Sequence, residues 1–143
     1  YALTEKKEKL RKDIDLHGLH ILLAEDNDLN AEIAIALLEE KGMTVTRTVN
    51  GKSALTQFRN TAPGTFDLIL MDIMMPEMNG YETTKAIRNL PDRPDGKEIP
   101  IIAMTANAFA EDVQAALNAG MNDHVAKPID MSILISVIAK YKR

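Results

Sequence analysis

Five short apolar runs, each followed by an amphipathic segment, constrain this chain more than any other feature. Ile21-Leu22-Leu23-Ala24, Phe66-Asp67-Leu68-Ile69-Leu70-Met71 and Ile99-Pro100-Ile101-Ile102-Ala103-Met104 are short and nearly continuous, as in strands covered on both faces. Thr44 to Val49 instead alternates polar and apolar residues, the pattern of a half-exposed edge strand, and Asp123 to Ala126 is a short, polar fifth run. Pro100 is tolerated near the start of its strand. Between these runs, residues recur at helical spacing. They are Leu29, Ile33, Ala36 and Leu37; then Ala54, Leu55, Phe58 and Ala62; then Tyr81, Thr84 and Ile87; then Phe109, Val113 and Leu117; and finally Leu134, Val137, Ile138 and Tyr141. Asn27 or Asp28 is available to cap the first helix and Gly42 to end it, while Pro91 to Gly96 reads as a turn-rich loop.

Five βα units in succession imply an α/β fold, with a five-stranded parallel sheet, right-handed crossovers and helices on both faces. The two polar runs belong at the edges. Strand order 2-1-3-4-5 puts them there and makes the fold a flavodoxin-like, doubly wound (βα)5 arrangement, with its switch point between strands 1 and 3.

The polar residues that end the runs fall on the edge where an open α/β sheet keeps its chemistry. Glu25-Asp26 ends the first run, Asp72 the third, Thr105 the fourth and Lys127-Pro128 the fifth. Strands 1 and 3 flank the switch point, so the three carboxylates are expected to meet in one crevice. Adjacent carboxylates repel unless a cation joins them. All-oxygen ligands suit a hard ion, and Mg²⁺ binds through one or two carboxylates while keeping several waters. Such a site lets Asp72 attack phosphorus despite its own charge, with Lys127 as a second positive charge and Thr105 as a hydroxyl donor.

Composition excludes several alternatives. The chain has 143 residues, enough for one domain with a substantial core. It has no cysteine, which removes disulfides and thiolate metal sites. A net charge of −4 argues against direct nucleic-acid binding. No apolar run is long enough to cross a bilayer and no signal peptide is visible, so a cytoplasmic location without membrane contact is expected.

Residues 1–17 differ from the rest. Glu5–Lys9 and Glu8–Lys12 are i,i+4 pairs around a thin stripe of Leu3, Leu10 and Ile14. Two readings stand: a solvated linker helix, or the end of a signalling coiled coil from a preceding domain. The chain opens on Tyr1 and stops after its last helix, from which an upstream neighbour and no output domain are expected. The domain proper is expected over 18–143.

The motifs Leu-Leu-Ala-Glu25-Asp26-Asn27, Leu-Ile-Leu-Met-Asp72-Ile-Met-Met-Pro76-Glu-Met-Asn-Gly80, Ile-Ile-Ala-Met-Thr105-Ala106 and Ala-Lys127-Pro128 together resemble the receiver (response-regulator) domain of two-component signalling, from about His20 to Tyr141. The wording of these motifs is most like that of receivers at the C-terminus of hybrid histidine kinases. The resemblance implies that Asp72 is the phosphoacceptor, and that Glu25, Asp26, Asp72 and the Met74 backbone carbonyl hold Mg²⁺. It implies that Thr105 is the switch hydroxyl, that Lys127 contacts the phosphate, and that the peptide bond before Pro128 is cis.

It further implies a phosphoryl group arriving from a histidine kinase core, passage to a His phosphotransfer domain, and a changed surface around the fourth helix, the fifth strand and the fifth helix. Self-catalysed phosphorylation and dephosphorylation are expected of the segment, kinase activity of its parent, and a monomer or weak dimer in solution.

His124 stands where many relatives carry an inward-swinging Tyr or Phe. It reads either as a partly buried strand residue packing on the fourth helix or as the rotating switch ring. The acid pair is Glu-Asp where many relatives have Asp-Asp. Met74, two residues beyond Asp72, is expected to shield the phosphoryl group from water.

Competing readings are weaker. A phosphatase with an Asp nucleophile would carry a second acid where Met74 stands, and a flavin carrier would need a phosphate loop after the first strand. The Asp26-Asn27-Asp28 stretch lacks the Gly and Glu of a calcium loop. His17 and His20 have no further ligands nearby in sequence.

Overall fold

The computed structural model describes residues 15–106 and 110–142. The linker or coiled-coil readings of the N-terminal stretch, and Phe109, lie outside them. The strands are β1 (His20–Ala24), β2 (Thr44–Thr48), β3 (Leu68–Asp72), β4 (Ile101–Thr105) and β5 (Asp123–Ala126). The helices are α1 (Asp28–Glu40), α2 (Gly51–Asn60), α3 (Gly80–Arg88), α4 (Pro94–Glu98), α5 (Ala110–Ala119) and α6 (Met131–Tyr141). All five strands are parallel in the order β2-β1-β3-β4-β5, the arrangement read from the sequence.

The two-residue period of the strands divides the core into two layers. Ile21, Leu23, Leu68, Leu70, Ile102 and Met104 face α1 and α6, where they meet Ala31, Ala34, Leu38, Leu134 and Ile138. Their alternates Leu22, Ile69, Met71, Ile101 and Ala103 face the other way, onto Ala54, Phe58, Ile87 and Ala116 of α2, α3 and α5. Each fully buried Leu or Ile adds roughly 1.5–3 kcal/mol of hydrophobic stabilisation. Leu16, upstream of the first strand, is also buried in the first layer. No helix among the described residues is long and apolar enough to cross a membrane.

Two helix faces differ from expectation. In α1 the buried residues are Ala31, Ala34 and Leu38, while Leu29 and Ile33 are 65% and 47% exposed. In α5 Ala116 and Ala119 are buried and Leu117 is exposed. Both helices offer two apolar stripes, and the one with alanines lets the helix axis approach the sheet closely.

The expected loop at Pro91 to Gly96 runs into α4, which opens with Pro94 in its first turn. The preceding Arg93 is buried. Its Nη1 donates to the carbonyls of Phe58, Arg59 and Thr61 at the end of α2 (2.8, 3.1 and 3.0 Å), and its guanidinium pairs with Asp95 at 2.9 Å.

Asx caps start the helices that leave the C-terminal edge of the sheet. Asn27, Asn50, Asn79 and Asp130 accept the N–H groups of Asn30, Ser53, Glu82 and Ile133. At Asn50 and Asn79, Ser53 and Glu82 return the bond and complete capping boxes. These caps hold the loops of that edge in register with the strands.

Candidate functional site

Glu25 follows β1, and its backbone N–H donates to the Thr48 carbonyl at 3.1 Å, which ties the loop to β2. Asp72 is the last residue of β3. The parallel pairing of β1 with β3 therefore brings both carboxylates to the same end of adjacent strands. Glu25, Asp26 and Asp72 each offer an oxygen to a cluster whose members all lie within 4.8 Å of one another. Glu25 and Asp72 are buried, and Asp26 is exposed to solvent.

One cation sits among them. Lys127 Nζ lies 2.7 Å from Glu25 Oε2 and 3.2 Å from Asp72 Oδ2. The Met74 backbone N–H donates to Asp72 Oδ1 at 3.3 Å. Burial, followed by the charge of Glu25, pushes the Asp72 carboxyl up to about 6 despite the opposing pull of Lys127. Burial works against the Lys127 ammonium, but its hydrogen bond to Glu25 and the two carboxylate charges outweigh it and raise its pKa.

Thr105 ends β4, one strand from Asp72. Its buried side-chain hydroxyl has no hydrogen-bond partner among the described residues, a costly state that a bound acceptor oxygen would relieve. The backbone N–H of Lys127 donates to the Thr105 carbonyl at 2.7 Å, and the Lys127–Pro128 peptide bond is cis. These residues line an open cleft of about 610 Å³. Met74 is on its wall, 76% exposed.

Gly80 closes the floor behind Asp72. A Cβ there would stand 2.5 Å from the Asp72 carbonyl oxygen and 2.9 Å from Ile73 Cα, so position 80 has no room for a side chain.

His124 is outside the group. It is not among the described residues that line the cleft; it lies in β5 opposite Ala103, with Nδ1 3.8 Å from its neighbour Asp123. Three features at or beside the site escaped the sequence reading. Tyr81 and Asp112 also line the cleft. Arg47 of β2 reaches over to Glu25, donating to its carbonyl through Nε and Nη2 at 3.1 and 2.8 Å. An arginine near the end of a strand that parallels β1 was the available signal.

Three carboxylates with no nitrogen or sulfur donor fit a hard divalent cation. The unpartnered Thr105 hydroxyl and the Lys127 ammonium add donors for an anionic group beside it.

The profile of the family described as response regulator receiver domain matches residues 21–139. The chain is 38% identical over 129 residues to the aerobic respiration control sensor protein ArcB of Escherichia coli K12, covering 90% of this chain. It spans 16% of the length of that curated relative.

Among solved structures, it is similar to the receiver domain of sensor histidine kinase PA1611 from Pseudomonas aeruginosa PAO1, a crystal structure with a magnesium ion coordinated in the active site cleft. The TM-score is 0.77 at 37% identity, over 87% of this chain and 97% of that one. It is also similar to a chain of the co-crystal of the Saccharomyces cerevisiae histidine phosphotransfer signaling protein Ypd1 with the receiver domain of its downstream response regulator Ssk1. There the TM-score is 0.75 at 27% identity, over 87% of this chain and 89% of that one. On the fold and these matches, this chain belongs to the family of response regulator receiver domains.

Proposed function

We propose that residues 18–143 form a phosphorelay module that accepts a phosphoryl group from a histidine onto Asp72, and that residues 1–17 join it to an upstream domain of a hybrid sensor histidine kinase. The observation that carries this reading is the convergence of Glu25, Asp26 and Asp72 within 4.8 Å, with Lys127 bonded to two of them. On this reading the module works in the cytoplasm, as a monomer or weak dimer, without binding nucleic acid.

An oxygen of ionised Asp72 attacks phosphorus in line with the P–N bond of the donor phosphohistidine. That bond breaks, its electron pair stays on the imidazole, and an acyl phosphate forms on Asp72. With its carboxyl held at about 6, Asp72 is mostly ionised at neutral pH. Mg²⁺, held by Glu25, Asp26, Asp72 and the Met74 carbonyl, would neutralise charge on the equatorial oxygens and position them. Lys127 turns from its carboxylate partners to a phosphoryl oxygen, and Thr105 donates its free hydroxyl to another. Met74 covers the new bond against water and slows its hydrolysis.

The arrangement that closes on the phosphate is favoured by these added contacts, which shifts an existing equilibrium. His124 follows as the switch ring, and the surface of α5, β5 and α6 carries the readout. Leu29 and Ile33, exposed on α1 beside the acid pair, offer an apolar face for a His phosphotransfer domain to cover while its histidine reaches Asp72.

The test is intact mass after incubation with a small acyl phosphate, with and without Mg²⁺, for the wild type and Asp72→Asn. A Mg²⁺-dependent gain of one phosphoryl group in the wild type alone is expected. A gain that persists in Asp72→Asn would refute the assignment.

A further inference from the structure

We infer that Arg47, on the edge strand β2, is a positioning residue that sets the cation affinity of the acid pair by clamping the loop after β1. The inference rests on the Mg²⁺ reading above.

Arg47 is paired with Leu23 in the β1–β2 register, one step before the strands end, so its side chain reaches the residue just past β1. Its Nε and Nη2 both donate to the Glu25 carbonyl, at 3.1 and 2.8 Å. Its third nitrogen, Nη1, lies 2.8 Å from Asp28 Oδ1 at the start of α1. One planar guanidinium thus grips both ends of the turn 25–28, which carries the two acidic residues Glu25 and Asp26. The Glu25 N–H is already held by Thr48, and the Asn27 N–H donates to Glu25 Oε1 at 3.2 Å. With Arg47 in place, the backbone carbonyl of Glu25 is fixed as well, so both carboxylates leave a turn with little freedom.

The rigid fork is what suits Arg to this task. It delivers parallel N–H groups from a pre-set plane, which a lysine ammonium does not. Contacts one shell out from metal ligands orient those ligands and affect affinity strongly. A cation near the site does the opposite through its charge alone, since it repels a divalent ion. Clamping and Coulomb repulsion therefore predict opposite signs for the removal of Arg47. The ion pair to Asp28, whose side chain is 84% exposed, is the weaker half of the grip.

The experiment is calorimetric Mg²⁺ titration of the wild type, Arg47→Met, Arg47→Lys and Asp28→Asn, together with amide hydrogen exchange of the metal-free proteins. Arg47→Met keeps an apolar stem and removes the fork. Its Kd for Mg²⁺ is expected to rise roughly tenfold, the low end of outer-shell effects. Arg47→Lys should fall between it and the wild type, and Asp28→Asn should shift Kd less than Arg47→Met. The Asp26 and Asn27 amides should exchange faster in Arg47→Met without metal. A folded Arg47→Met with an unchanged or lower Kd would overturn the clamp while leaving the Mg²⁺ reading intact. A wild type that binds no Mg²⁺ would overturn both.

Discussion

The two edges of the sheet treat buried charge in opposite ways. At the N-terminal edge, Arg88 donates to the carbonyls of Gly120, Gly96 and Ile99 and to Asn122 Oδ1, at 2.7–3.0 Å. Arg93 there ends α2 and pairs with Asp95, its guanidinium 4.5 Å from the Phe58 ring centroid. Each guanidinium is met by oxygens of the chain itself. At the C-terminal edge, two buried carboxylates share a single lysine beside a third, exposed one, and the Thr105 hydroxyl has no partner among the described residues. One edge is closed by the chain's own oxygens; the other gathers like charges around one ammonium.

The sharpest way to break this contrast is Arg93→Met. Three carbonyls at the end of α2 and the Asp95 carboxylate would lose their donor together. A loss of about 3 kcal/mol is expected in urea unfolding, as for a buried network stripped of one charged partner. A loss below 1 kcal/mol would mean that the N-terminal edge is not held by this residue.

The second test reverses the sign. Asp72 titrates near 6 in the fold, above its ordinary value of 3.8. The folded state therefore holds the extra proton between those values, and the associated stability is complete below about pH 4 and lost as pH rises through about 6. For the metal-free protein this difference, reduced by solvent screening, is about 2 kcal/mol. Asp72→Asn should remove this pH dependence and stabilise the metal-free domain at pH 7.5 by about 2 kcal/mol. Chemical denaturation between pH 4 and 8 measures both, and a destabilised Asp72→Asn would contradict the account. Added Mg²⁺ should flatten the wild-type profile.

The smallest effect expected is at Met74. Replacing it with Ala opens the cleft to water, and phosphoaspartate hydrolysis should quicken by roughly a few-fold. An unchanged half-life of the labelled protein would show that an exposed side chain at this position shields nothing.

Much of this was legible in the sequence, for a physical reason. Strands buried on both faces must be apolar throughout, so the polar residue that ends each one stands out. Glu25, Asp26, Asp72, Thr105 and Lys127 were singled out that way, and parallel pairing places them around one cleft. Helix faces were harder. The first stretch offers Leu29 and Ile33 on one side and Ala31, Ala34 and Leu38 on another, and periodicity cannot say which stripe approaches the sheet. Size suggested the first, but the small residues won because they permit closer packing. Arg88, Arg93 and Arg47 were invisible for a different reason. Their partners are mostly backbone carbonyls, up to 35 residues away for Arg93, and carbonyls leave no mark on the side-chain pattern.

Gly80 sets how abruptly the site responds to change. A side chain on the open face of α1, such as Leu29 or Ile33, can be altered by degrees without meeting the core. At Gly80 no such gradient exists: even the smallest side chain meets the Asp72 carbonyl oxygen at 2.5 Å. A substitution there is expected to move the end of β3, carrying Asp72 away from Glu25 and Lys127 while the two core layers stay intact.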